Sequence, residues 1–502
     1  MGDMPRTPNA SLWLDDGPAI ALDEAIVQRP DAVVVGAGIT GLSTAVALAR
    51  QGASVLVLEA RAPGAFATGS TTAKVSLLQS DRLHRILSLA RRDAAQAFVD
   101  GSRAAQSWLL ELLDGAGAEV ERRSAVSFAW TPEGADALEQ ELEAARSLGV
   151  PAAHGGAEQL PFAVAGAIEL EAQAQVQPVA MLAALAAEAR AHGAIIARRT
   201  VRGVRRSERG VVVTTDEGEV RAGAAVLATG SPVPARITSS LLEAHRSYAA
   251  AYRVPGALPA PMAISVDSPS RSLRTARHRG EEVLVVGGPG HPVGRHDDPR
   301  RLVAELDGWV RARFPGAERT HVWSAQDYRT PDRLPWIGAR PGSRGGILLA
   351  TGFDKWGMTS GVLSALAIAG RLGGAEPDWA RTLRRRGATP AALGSAVGSG
   401  LAVGAAQVRA ASAALRPVEA PGEGEGRVGL EGPRLVATST VEGETRSVSA
   451  FCPHVGALVQ WNAQEASWDC SAHGSRFAPD GTRLEGPAAC GLRGLRRAAH
   501  AG

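Results

Sequence analysis

The stretch DAVVVGAGITGLSTAVALARQGASVLVLEA, residues 31–60, decides the fold. Residues 31–35 form a short apolar run, the pattern of a parallel strand buried on both faces. GAGITG then turns the chain, LSTAVALARQG carries helical apolar spacing, and SVLVLEA reads as a second strand. In that context Gly36, Gly38 and Gly41 form G-x-G-x-x-G. The first glycine allows a tight turn, the second lets backbone approach a pyrophosphate, and the third lets helix pack on strand. Phosphate charge is favoured at the helix N-terminus, where unpaired N–H groups point outward. Glu59 closes the second strand, eighteen residues after Gly41, in position to accept hydrogen bonds from a ribose. A bound dinucleotide is expected.

Outward from this unit, 181–192 reads as a helix, followed by strand-like pieces at 194–204, 211–215 and 224–228. Residues 282–287 and 346–352 read as strands, the latter running into a Gly-rich turn and a helix. Residues 103–148 read as mostly helical. The Gly cluster VVGGPGHPVG, Val285–Gly294, lacks the following apolar helix that a second nucleotide site needs, so it is expected to be the loop of an antiparallel hairpin. Residues 427–450 are short alternating segments separated by turn residues, which predicts a small all-β module. The pattern is an α/β nucleotide-binding domain interrupted by a mixed α+β portion, followed by that module.

Composition bounds the function. The chain has 502 residues, 45% hydrophobic and 21% charged, with a net charge of +3, so charge implies no nucleic-acid partner. Of 54 basic residues only Lys74 and Lys355 are lysines. All three cysteines, Cys452, Cys470 and Cys490, lie near the C-terminus, which argues against a disulfide-built protein. The N-terminus carries no signal-peptide pattern. Segment 389–415 is rich in Gly, Ala and Ser and is read as a linker with a helical second half, not a membrane span. A cytoplasmic enzyme without membrane association is the expectation.

The motifs DYRTPDRLPWIG (327–338) and ATGFDKWGMTSG (350–361), with the N-terminal fingerprint and AVLATG ending at Gly230, resemble the D-amino acid oxidase superfamily, which includes glycine and sarcosine oxidases. The resemblance implies an FAD-binding Rossmann-like domain with an inserted mixed α+β substrate domain. It places Gly36, Gly38, Gly41, Glu59, Arg61, Thr71, Thr72, Val201, Ala228, Thr229, Gly230, Gly352, Gly357, Met358 and Thr359 at FAD, with Val201 bracketing the adenine. Gly357, Met358 and Thr359 are expected beside the flavin N1–C2=O edge, where a helix start aims its positive dipole. The flavin is expected to be non-covalent, because every cysteine lies in the β module and the first helix has Ala45 and Ala47 where some relatives carry a linking histidine. Lys74 is expected as a cation near the ring, Arg274 and His291 as groups facing it, Arg274 holding a substrate carboxylate, and Tyr328 and Trp356 as aromatic walls.

At the other end, CPHVGALVQWNAQEASWDCSAHGSRF (452–477) sets Cys452 and His454 against Cys470 and His473. By residue type alone this set suits zinc as well as iron. Gly456, Gly474, Ser475, Asp480–Gly481 and Gly486–Ala488 make the stretch closely similar to the Rieske ferredoxin family. That resemblance implies a [2Fe-2S] cluster, with Cys452 and Cys470 on one iron and His454 and His473 on the other. Ala457 and Ala472 stand where the respiratory type joins two cysteines, and Phe477 where the high-potential type has a tyrosine hydroxyl. A low-to-intermediate potential follows. Cys490 is expected to be a buried small hydrophobe.

The expected organisation is an N-terminal extension (1–30), an FAD-binding domain (31–80, 166–235, 326–388), a substrate domain (81–165, 236–325), a linker (389–417) and a Rieske domain (418–502). The expected activity is hydride transfer from a C–H beside nitrogen in an amine or amino acid to FAD, with electrons passed singly through the cluster to or from an external carrier. The alternatives are an oxygen-using flavin oxidase and an electron-transfer partner without its own organic substrate.

Overall fold

The computed structural model describes residues 11–231 and 241–495; the rest of the expected N-terminal extension and of the β module lies outside the described residues. The described chain divides into two compact units.

The first unit comprises residues 11–230, 247–289 and 306–393. It is built on a six-stranded sheet in the order Trp336–Ala339, Ile347–Thr351, Ala224–Leu227, Ala32–Val35, Val55–Glu59, Ile195–Arg198. The five strands from Ile347–Thr351 onward pair in parallel, and Trp336–Ala339 pairs antiparallel at the edge. Alternate side chains of the central strands go to different cores. Val34 and Val57 pack with Leu42, Val46 and Val362 of helices Ile39–Ala49 and Gly357–Leu372. Val33, Val35, Leu56 and Leu58 pack with Val211, Val213 and Val220 of a three-stranded antiparallel sheet, Val201–Ser207, Gly210–Thr215 and Gly218–Ala222. Burial on both faces explains why these strands are continuous apolar runs.

The other large sheet corrects two expectations. Within 103–148 the helices Arg92–Gly115 and Pro132–Ser147 flank a ten-residue strand, Val120–Ala129. Its first half, VERRS, is half-exposed and polar, so it lacks the apolar signal of a strand; pairing with Gly166–Val176 and Met262–Ser265 imposes the conformation. The Gly cluster is not a hairpin loop up to Gly294: strand Glu281–Pro292 runs through most of it. A Cβ on Gly288 would come within 2.8 Å of Leu306, so glycine there lets helix Arg300–Arg313 pack on the strand.

The second unit gathers Ser231, 241–246, 290–305 and 394–495. Two four-stranded antiparallel sheets form its β module: Gly426–Glu431, Arg434–Val441, Glu444–Ser449 and Gly494–Leu495, then Val459–Asn462, Ser467–Cys470, Arg476–Phe477 and Arg483–Glu485. Val448, Leu458, Trp468 and Phe477 fill the core. Arg246 and Arg476 are buried together, and Glu465 bridges them at 2.6 Å from each. Asp469 and Glu485 complete the network on Arg476. Such charges are tolerated in a core only as a satisfied set.

The expected linker is instead helical from Pro390 to Ala414. Alanine propensity outweighs its four internal glycines over this length. Gln407 fastens it by accepting from the Leu458 N–H at 2.8 Å and donating to Ser471 Oγ at 2.5 Å. Among the described residues it is the one helix long and apolar enough to cross a membrane by length and composition.

Candidate redox sites

The G-x-G-x-x-G turn joins strand Ala32–Val35 to helix Ile39–Ala49. Gly36 has φ +104°, a region that side chains disfavour, and an added Cβ there would lie 2.8 Å from Ala228 O. A Cβ on Gly41 would meet Gly36 O at 1.8 Å, so the helix can close on the turn only with glycine. At Gly38 an added Cβ would meet only Thr68 Oγ1, at 3.1 Å, which leaves the backbone open to a ligand. Neither N-cap residue, Gly38 nor Trp356, caps its helix with a side chain; Thr68 Oγ1 accepts from Ile39 N–H at 3.2 Å, and the other first-turn N–H groups carry no side-chain cap. Glu59 accepts from Ala37 N and Arg61 N at 2.8 Å each, bracing the turn from the second strand.

The two Cys/His stretches fold as matched loops. Cys452 N–H donates to Ala457 O and Gly456 N–H to Cys452 O; Cys470 N–H donates to Ser475 O and Gly474 N–H to Cys470 O, all at 2.8–3.0 Å. Gly456 and Gly474 have φ of 80° and 78°, which makes both loops possible. The His454 and His473 rings lie 4.9 Å apart at 80°, and the Cys452 and Cys470 thiols contact each other. The bond with Cys470 and one from Ser475 pull the Cys452 thiol down to about 7, against the opposing effect of burial. Ser475 Oγ accepts from Ala488 N–H at 3.0 Å, which orients its own hydrogen toward Cys452. His473 Nδ1 is buried and bonds to nothing among the described residues. Two thiols and two imidazoles held by glycine loops suit a cluster with two ligands on each iron.

The family model for FAD dependent oxidoreductases, DAO, matches residues 31–371, and that for the Rieske [2Fe-2S] domain matches 413–495. The chain belongs to the FAD-dependent oxidoreductase family, DAO. A Bacillus subtilis (strain 168) protein named for a Rieske 2Fe-2S iron–sulfur centre, YhfW, is 27% identical over 476 residues, covering 91% of this chain and 92% of that one. Glycine oxidase from Geobacillus kaustophilus superposes with a TM-score of 0.59 at 23% identity, over 70% of this chain and 96% of its own. L-Proline dehydrogenase from P. horikoshii matches at 0.59 and 18%, over 70% and 96%. The protein is therefore an oxidoreductase that binds FAD and a [2Fe-2S] cluster. The open backbone at Gly38 and the two helix starts fit FAD, and the paired loops fit the cluster.

Around the DAO fingerprint the structure disposes the remaining candidates as follows. Ala228, Thr229 and Gly230 follow directly on strand Ala224–Leu227, and Thr351 Oγ1 donates to Gly230 O. Gly352 has φ +76° and turns the chain toward the helix that starts at Gly357. Met358 and Thr359 are buried in its first turn, and Thr359 Oγ1 accepts from Gln79 Nε2 at 3.0 Å. Val201 opens its strand and packs on the core beneath the parallel sheet. The Arg61 guanidinium stacks 4.7 Å over Phe66. Thr71 Oγ1 accepts from Ala73 N–H, and Thr72 O from Arg274.

Lys74 is buried in this family's cofactor unit with neutral partners, donating to Ala263 O at 2.7 Å and Ser272 Oγ at 2.6 Å. Burial first and the Arg274 charge second push its amine well below its usual range, which works against the expected cation. Arg274 is not poised for a substrate carboxylate. Its guanidinium donates to the carbonyls of Thr72, Ala73, Val176 and Thr275 and stacks 5.0 Å over Trp13. It ties three segments together. His291 falls in the second unit, its ring 5.4 Å from His296. Tyr328 is buried with its hydroxyl accepting from Gln326 Nε2 at 2.9 Å, and Trp356 is half-buried at the N-cap of helix Gly357–Leu372. Lys355 is exposed, with φ +72° and its N–H donating to Asp327 Oδ2. Cys490 is exposed, not a core hydrophobe.

Sequence reasoning missed Asp327, whose carboxylate accepts from Tyr328 N–H and Lys355 N–H at 2.7 Å each. Burial pushes its carboxyl up to about 6. It also missed Arg82, buried and donating to Phe353 O at 2.9 Å and Arg333 O at 3.2 Å. The positive-φ pair Asp354–Lys355 marks this bend, and no spacing rule in the sequence signals it.

Proposed function

We propose that the protein is a dehydrogenase for an amine or amino acid, taking hydride from a C–H beside nitrogen and delivering the electrons one at a time to an external carrier. The observation that carries the reading is the union, in one chain, of a DAO-type FAD fold and a Rieske module. Bound FAD supplies a two-electron acceptor and the cluster a one-electron relay. The solved structures of similar fold include a glycine oxidase and an L-proline dehydrogenase, which supports an amine substrate.

The chain's own groups prepare the site. The starts of helices Ile39–Ala49 and Gly357–Leu372 would offer N–H groups and positive dipole to a bound FAD. Glu59 holds the turn that receives the dinucleotide. Lys74, two residues beyond Thr72, has its pKa lowered by burial, and we assign it as the group that would take the proton from the substrate nitrogen before hydride leaves the adjacent C–H. Ser475 donates to a cluster-ligand sulfur, while Phe477 offers no second hydroxyl, which supports a potential below that of the high-potential type.

Anaerobic stopped-flow mixing with a panel of amines and amino acids tests the reading. Flavin bleaching followed by cluster bleaching in the same reaction is expected. A cluster whose spectrum stays oxidised throughout turnover overturns it.

A further inference from the structure

We propose that Asp15, His278 and His321 form a second metal site, for a divalent d-block cation such as Zn2+, in the FAD-binding unit. The three residues come from distant segments: the short helix Leu12–Asp16, the end of strand Ser272–His278, and strand Glu318–Arg329. Asp15 Oδ2 lies 3.1 Å from His278 Nε2 and 3.4 Å from His321 Nε2, and the three donor atoms fall within 4.8 Å of one another. Ligands held about 2.0–2.2 Å from one zinc ion stand about 3–4 Å apart, so little rearrangement is needed.

The ring geometry supports the same reading. The His278 and His321 rings lie 4.8 Å apart at 77°. The pair His454 and His473, which the Rieske loops offer to a single iron, shows 4.9 Å and 80°. His321 Nδ1 meets Thr320 Oγ1 at 3.0 Å, the partner on the far ring nitrogen that fixes a liganding imidazole. Both histidines are largely buried, while Asp15 reaches solvent and gives an ion its path in.

One group opposes the ion. Arg279 donates to the same Asp15 oxygen at 2.9 Å, and its side chain is half-exposed. It supplies the positive charge when no ion is present and has room to swing away. A carboxylate and two imidazoles leave at least one position for water; among the described residues the ligand group holds these three alone, and the ion acts as a clamp. The clamp reaches the cofactor loop: Trp13 Nε1 donates to Thr71 O at 2.7 Å and Ser11 Oγ to Gly69 O. A bound ion would hold the helix that holds this loop.

The test uses the holoprotein with FAD and cluster in place. It is equilibrated with Zn2+ alone, freed of excess metal, and assayed for zinc, iron and FAD, with affinity measured against a chromophoric chelator. Wild type is expected to keep one zinc for every two irons. His278→Gln and His321→Gln are expected to weaken binding by at least about tenfold, the loss that even outer-shell changes cause. Arg279→Gln, which removes an exposed ion pair worth at most about 1 kcal/mol, is expected to tighten it. Unchanged iron and FAD contents show that the variants fold. Absence of retained zinc in wild type, equal affinity in the histidine variants, or no gain in Arg279→Gln overturns the proposal and leaves the trio as an ion pair.

Discussion

At the scale of single residues, burial decides which charges the fold can keep. Glu141 is fully buried, and burial pushes its carboxyl up to about 8 even though it accepts from Leu83 N–H and His84 N–H. A folded pKa above the unfolded one means that the native state holds a proton the unfolded chain releases. This contribution is fully present below the ordinary carboxylate range near 4.5 and is lost as pH rises through about 8. Each pH unit across that window removes up to about 1.4 kcal/mol. Melting curves from pH 5 to 9 are expected to show a falling Tm in wild type and a flatter profile in Glu141→Gln. Equal slopes in the two proteins would remove Glu141 as the cause. Arg274 shows the same principle resolved differently: a buried guanidinium satisfied by four backbone carbonyls. Nothing local to SRSLRTAR distinguishes that role from substrate binding.

At the scale of elements, the strand–turn–helix of residues 32–49 is the most constrained piece of the chain. Gly41→Ala would put a methyl group 1.8 Å from Gly36 O, and a backbone oxygen cannot rotate aside. Overpacking of this kind costs about 1–3 kcal/mol; the geometry argues for the upper end. The variant is expected to purify with little FAD and normal iron, read from absorbance after denaturation and from metal analysis. Full FAD occupancy would show that the helix can shift without cost. Legibility varied between elements for physical reasons. The parallel strands and the β-module strands announce themselves because burial on fixed faces writes a pattern into consecutive residues. Val120–Ala129 does not, because its outer half is polar and its strand state comes from pairing partners far along the chain. In 389–415 the reading followed glycine content, while the helix follows alanine and the Gln407 anchor.

At the scale of the whole molecule, the prediction concerns division of labour. Cys470→Ser removes one thiolate of the cluster set, in a loop otherwise held by its backbone bonds and by Ser475. The expected protein has normal FAD, lacks the Rieske electron-paramagnetic signal, and is reduced by substrate at the wild-type rate under anaerobic conditions. Turnover with a one-electron acceptor is expected to fall to background. Undiminished turnover with such an acceptor would mean that electrons leave without passing through the cluster.

The sequence by itself determined the parts whose physics is local. These are the glycine turn over a helix N-terminus, the acid that closes the next strand, and the two cysteine–histidine loops with their left-handed glycines. Each is written within a few residues, because backbone sterics and helix-end charge act over that range. Only the tertiary structure decided which polar groups share a buried site. It joined Arg274 to four carbonyls and buried Lys74 between Ala263 and Ser272, where desolvation lowers its pKa. It set His291 beside His296 in the second unit, and brought Asp15, His278 and His321 together from three segments. Those outcomes depend on desolvation and partners summed over residues far apart in the chain, which no spacing within a motif encodes.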